Sequence, residues 1–108
     1  MIAFYAIYSK RFLLSLSPWN SAKYLDSPEA VELYLQTCFE EAGDDPAFIA
    51  KALGVVARAR GMTELAKEAG LGRERLYKTL SGENNPSFGM IAKVCAALGV
   101  RLTVRAAH

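Results

Sequence analysis

The chain has little of what metal or nucleophilic chemistry needs. It holds one histidine, at position 108, and two cysteines, Cys38 and Cys95, far apart in sequence. Zinc sites draw their ligands from such residues, and a cysteine nucleophile needs a base within reach. Neither set can be assembled from this sequence. No Ser–His–acid set and no glycine-rich phosphate cradle is in view either. The sequence therefore predicts no enzyme, no metal site and no cofactor. Long hydrophobic runs are missing too. A membrane span needs roughly 18 uninterrupted apolar residues, and Lys10 and Arg11 interrupt the best candidate. Those charges follow the apolar residues 1–8, the reverse of a secretory signal. There is no internal repeat and no low-complexity tract. These absences point to a cytoplasmic chain with no membrane and no small-molecule substrate. Its cysteines read as buried free thiols on helical stripes.

What is present supports one packed domain. The chain has 108 residues, 52% hydrophobic and 22% charged. A domain of that length buries roughly two-thirds of its extended surface. The net charge of +2 hides an asymmetry. Residues 1–45 carry three basic and seven acidic side chains, a net −4. Residues 46–108 carry ten basic and four acidic ones, a net +6. Such a split suits two different partners or one polyanion approached from one end. A surface charged only for solvation gives the same numbers.

Helix signals run through the middle of the chain. Ser27-Pro28-Glu29 combines a hydroxyl cap, a proline at the first helical position and an acid in the first turn. Val31, Tyr34, Leu35, Cys38, Phe39 and Ala42 follow at helical spacing before Gly43. Asp44-Asp45-Pro46 opens a second helix, with Phe48, Ile49, Ala52, Leu53 and Val56 inward and Gly61 at its end. Thr63 reads as the cap of a short helix over residues 64–69. A turn at Gly70-Leu71-Gly72 precedes a helix over residues 73–81, with Leu76 and Leu80 inward. Ser87 reads as the cap of a last helix whose Phe88, Ile91, Val94, Cys95 and Leu98 face the core. At the ends the period changes to two. Val100, Leu102 and Val104 alternate with polar residues, and residues 2–8 are rich in β-formers. These two segments pair either with each other or across a dimer axis.

Residues 62–82 hold the most informative pattern. Leu65 and Ala66 turn the first helix inward, Gly70 suits a left-handed turn, and Leu76 anchors the second helix. Arg73, Glu74, Tyr77 and Lys78 are left facing out, with Arg75 on the flank. Arginine can grip guanine with a forked pair of hydrogen bonds, and glutamate can accept from cytosine. Thr63 is a further candidate DNA contact, and Asn84, Asn85 and Ser87 are candidate phosphate contacts that fix register. An ordinary helical hairpin with a charged face, or plain loop and cap chemistry, explains the same residues without DNA. On the first long helix, Glu29, Glu32, Gln36 and Glu40 line one side and form a candidate acidic surface for a protein partner.

The segments Arg58-Ala59-Arg60-Gly61-Met62, Leu65-Ala66, Gly70-Leu71, residues 76–81, Asn85-Pro86-Ser87-Phe88 and Ala97-Leu98-Gly99 resemble those of addiction-module antidote proteins, the HigA-type antitoxins. That family lies within the phage-repressor-like helix-turn-helix group. Residues 18–25 and the helix that follows resemble the family's opening. The likeness spans about Pro18 to Val104, although Asn20 and Asn84 replace the family's usual aspartate and glycine. It implies an all-α fold: a compact bundle of about five helices with a helix-turn-helix, to which the period-two ends add short strands. Residues 1–17 read as an N-terminal extension, and residues 18–108 as one domain. The resemblance further implies a homodimer on double-stranded operator DNA that represses its own operon, and a cognate RelE/ParE-like toxin. The rival readings are a stand-alone repressor and a protein-interaction adaptor that does not bind DNA.

Overall fold

The computed structural model describes residues 23–83 and 85–106. Five helices occupy them: α1 (Pro28–Ala42), α2 (Pro46–Arg60), α3 (Met62–Ala69), α4 (Arg73–Thr79) and α5 (Phe88–Ala97). There is no strand among the described residues. The strand expected at residues 2–8, the extension 1–17 and Asn84 lie outside them.

The two long helices start where the sequence places their caps. Ser27 accepts a hydrogen bond from the Ala30 N–H at 3.1 Å, and Asp45 accepts from the Phe48 N–H at 3.2 Å. A proline follows each cap, fixing the backbone where no N–H is needed. Each such cap stabilises its helix by about 1 kcal/mol.

The middle helix, α2, is the axle of the bundle. It packs against α1, α3 and α5. Its residues 48–50 and 52–57 are therefore buried nearly all round. Leu53, Val55 and Val56 meet Leu76, Val94, Cys38 and Cys95 in the centre of the core. Burying one such aliphatic side chain fully contributes about 1.5–3 kcal/mol. Gly54 makes one close approach possible. A side-chain carbon there would sit 3.1 Å from the Leu80 carbonyl oxygen, so the residue after α4 rests directly on the α2 backbone.

Three boundaries differ from expectation. Thr63 is not a cap. One residue, Gly61, joins α2 to α3: its amide donates to the Ala57 carbonyl at 2.8 Å, and its carbonyl accepts from Leu65 at 3.1 Å. With the junction that short, α3 starts at Met62 and Thr63 is its second residue. Helix α4 stops at Thr79 and not at residue 81. Ser81 turns its hydroxyl back to the Lys78 carbonyl at 2.9 Å and accepts from the Glu83 N–H, which competes with another helical turn. Residues 100–104 are not a strand. A period-two pattern needs a neighbouring strand to pair with, and none lies among the described residues.

Two aromatic side chains also depart from their stripes. Phe88 is 76% exposed and Phe39 39% exposed, although both were expected inward. Phe88 opens α5 at the edge of its apolar stripe, with no preceding turn to cover it. Ile91, Val94, Cys95 and Leu98 do turn to the core.

Candidate nucleic-acid interface

Helices α3 and α4 pack on one another across a three-residue turn, 70–72. The turn closes as the sequence requires. Gly70 takes the left-handed backbone, φ 70° and ψ 30°, where a side chain would be strained. Its N–H reaches the Lys67 carbonyl at 3.1 Å, and the Leu71 N–H reaches that of Ala66 at 2.9 Å. Two carbonyls at the end of α3 are thereby satisfied. Leu71 then packs half-buried against the core.

Helix α4 is held by Leu76, which is completely buried. That single anchor sets the rotation of the helix. Arg73, Glu74, Arg75, Tyr77 and Lys78 are all exposed as a result. Two contacts run along this face, each between residues one turn apart. The Arg73 guanidinium lies 5.6 Å from the centre of the Tyr77 ring. Exposed cation–π pairs of this kind are worth about 0.5–1 kcal/mol. The Lys78 ammonium is 4.0 Å from a Glu74 carboxylate oxygen, with both side chains mostly in water. Neither contact ties α4 to another helix, so both can be exchanged for contacts to a partner.

The remaining candidates come from other segments. Thr63 is exposed near the start of α3. Asn85 is exposed in the loop before α5. Ser87 caps that helix, accepting from the Met90 N–H at 3.1 Å. Asn84 lies outside the described residues. On α1, Glu29, Glu32, Gln36 and Glu40 are all exposed, opposite the buried Val31, Tyr34, Leu35 and Cys38.

The thiols take no part in surface chemistry. Both are buried and free. Burial pushes the Cys38 thiol up to about 12, against a smaller downward pull from its hydrogen bond with Tyr34. Burial raises Cys95 as well. At neutral pH both are protonated and lack the thiolate a nucleophile needs.

Residues expected in the core or in a terminal strand line a second surface. Phe39, Pro46, Ile49, Phe88, Leu102 and Val104 line an open apolar groove of about 490 Å³. Its sequence signal was the unpartnered alternation at residues 100–104. Among the described residues, no helix is long and apolar enough to cross a membrane.

Comparison with known proteins gives two matches. A family model described as "probable addiction module antidote protein" matches residues 15–106. A protein of Haemophilus influenzae, described only as uncharacterized, is 42% identical over 90 residues, 83% of this chain and 91% of that protein. No solved structure matches.

Proposed function

Because the chain belongs to the family of probable addiction module antidote proteins, we propose that it is a HigA-type antitoxin that binds its own operator through α3 and α4. The family is not an enzyme family, and an antidote implies a cognate toxin. In this reading the hairpin is a phage-repressor-like helix-turn-helix, the protein is a homodimer, and it represses its own operon by occlusion. The two copies of α4 would lie in successive major grooves about 34 Å apart. The toxin would be RelE/ParE-like.

The observation that carries the reading is the outward face of α4. Four side chains able to read or grip nucleic acid stand on the second helix of a tight hairpin, and none is committed elsewhere in the bundle. Arg73 suits guanine O6 and N7, and Glu74 suits cytosine N4. Lys78 reaches a base or a phosphate. Arg75, on the flank, suits a phosphate. Thr63, Asn84, Asn85 and Ser87 are assigned to phosphates that set the register.

The test is binding to the DNA upstream of the protein's own gene, followed by fluorescence anisotropy at fixed salt. Arg73→Ala is expected to weaken binding by about 1–3 kcal/mol and to relax specificity at one base pair. Arg75→Ala is expected to weaken all sequences more evenly. An Arg73→Ala protein that binds like the parent means α4 is not the reading helix. A parent that binds no DNA favours an adaptor.

The toxin is assigned to the exposed acids of α1. Opposite charge on a partner raises the association rate more than the affinity. A triple Glu29→Gln, Glu32→Gln, Glu40→Gln variant is expected to associate more slowly with the toxin and to lose most of the salt dependence. Operator binding should stay nearly unchanged. Equal effects on both partners would refute the division between the two halves.

A further inference from the structure

The end of α4 and the loop behind it rest on α2 at two places. Gly54 carries the Leu80 carbonyl, and one turn earlier on the same helix Lys51 carries the loop. A side-chain carbon on Gly82 would sit 2.7 Å from the Lys51 Cε, 3.0 Å from its Cγ and 3.1 Å from the Ala47 carbonyl oxygen. The lysine stem therefore lies along the Gly82 backbone, and the ammonium, one bond past Cε, is held beside the loop that follows α4. Long cationic side chains often pack the stem and leave the head in water, and Lys51 is exposed in this way. Its ammonium has no ion pair among the described residues. Glu83, the acid of the same loop, is exposed and has none either.

The loop offers a donor at the same place. The Gly82 amide makes no hydrogen bond among the described residues. The Ser81 hydroxyl, by contrast, is already engaged with the Lys78 carbonyl and the Glu83 amide. A cation and a free backbone amide side by side suit an anionic oxygen, and the ammonium, as a point charge, carries no base preference. The position agrees with that chemistry. Seven helical residues make α4 about 10 Å long, close to the roughly 12 Å width of a major groove. With α4 in the groove, its end meets the groove wall, which is the phosphate backbone. We propose that Lys51, on a helix outside the hairpin, grips a backbone phosphate of the operator together with the Gly82 amide. This inference rests on the operator reading above and extends its surface from α3 and α4 to α2.

The test is anisotropy of the full-length protein over a series of salt concentrations, on duplex DNA from upstream of its own gene and on an unrelated duplex of equal length. Lys51→Met keeps a stem over Gly82 and removes the charge, so its melting temperature should match the parent's. It is expected to bind both duplexes more weakly, by roughly threefold or more for each copy bound. The slope of log affinity against log salt should become shallower by about 0.9 for each copy bound. Glu83→Gln should act in the opposite sense and tighten both duplexes, because it removes a like charge from beside the phosphate. A Lys51→Met protein with the parent's affinity and salt slope overturns the inference, and so does one that loses affinity for the operator alone. A Glu83→Gln protein that binds more weakly also counts against it. If Arg73→Ala weakens the operator while Lys51→Met changes nothing, this contact fails and the operator reading stands. A parent that binds neither duplex sinks both.

Discussion

The α1–α2 pair and the α3–α4 pair obey different rules. Helices α1 and α2 have 15 residues each and begin with side-chain caps. Helices α3 and α4 have eight and seven, and neither has a side-chain cap. Isolated helices shorter than about 12–15 residues are marginal in water. The first pair thus contains much of its own stability, whereas α4 exists because Leu76 is docked in the core. A helix held by one inward residue has its other side chains to spare. That difference explains how a seven-residue segment can present five exposed polar and aromatic residues in a row around one anchor.

The comparison breaks most easily at that anchor. Leu76→Ala is expected to destabilise the protein by about 2–5 kcal/mol, measured by urea unfolding, because it leaves a cavity in the middle of the core. The hairpin amides should lose protection from hydrogen exchange before those of α2. Equal loss in both pairs would show that the bundle opens as one unit.

Alkaline pH tests the α1 side. Burial raises the folded-state pKa of Cys38 from 9.0 to about 12. Its contribution is therefore fully present below pH 9 and is lost as pH rises toward 12. The urea midpoint should fall across that window and stay flat through neutrality. Cys38→Val should shrink the fall; an unchanged alkaline slope would assign it to other groups.

Smaller effects sharpen the contrast. Ser27→Ala is expected to cost about 1 kcal/mol, since it frees the Ala30 amide at the start of α1. Smallest of all is Glu74→Gln. The ion pair to Lys78 is long and exposed, and such pairs contribute little. The melting temperature should not move, while preference at one operator base pair should. A clear loss of stability would mean that α4 depends on its surface after all.

Much of this was legible in the sequence, for reasons that can be named residue by residue. The long helices announced themselves through Ser27-Pro28 and Asp45-Pro46, because capping and proline geometry are local. Gly70 and Leu76 fixed the hairpin and its outward face, because helical spacing alone puts Arg73, Glu74, Tyr77 and Lys78 away from the anchor. The places where the sequence misled are those where a neighbour decides. Thr63 looked like a cap until a one-residue junction at Gly61 started the helix early. Phe88 looked like core, but a residue in a first helical turn is covered only if another element lies over it.

By itself, then, the amino-acid order determined where the long helices begin, most of their inward faces and the split of charge, since these follow from contacts within a few residues. Only the tertiary structure decided that α2 is buried all round, that Gly54 carries the Leu80 backbone, and that Phe88, Leu102 and Val104 remain in water. Burial is a property of what packs across the chain. A sequence states which side chains would prefer to leave water, and the fold states which of them find somewhere to go.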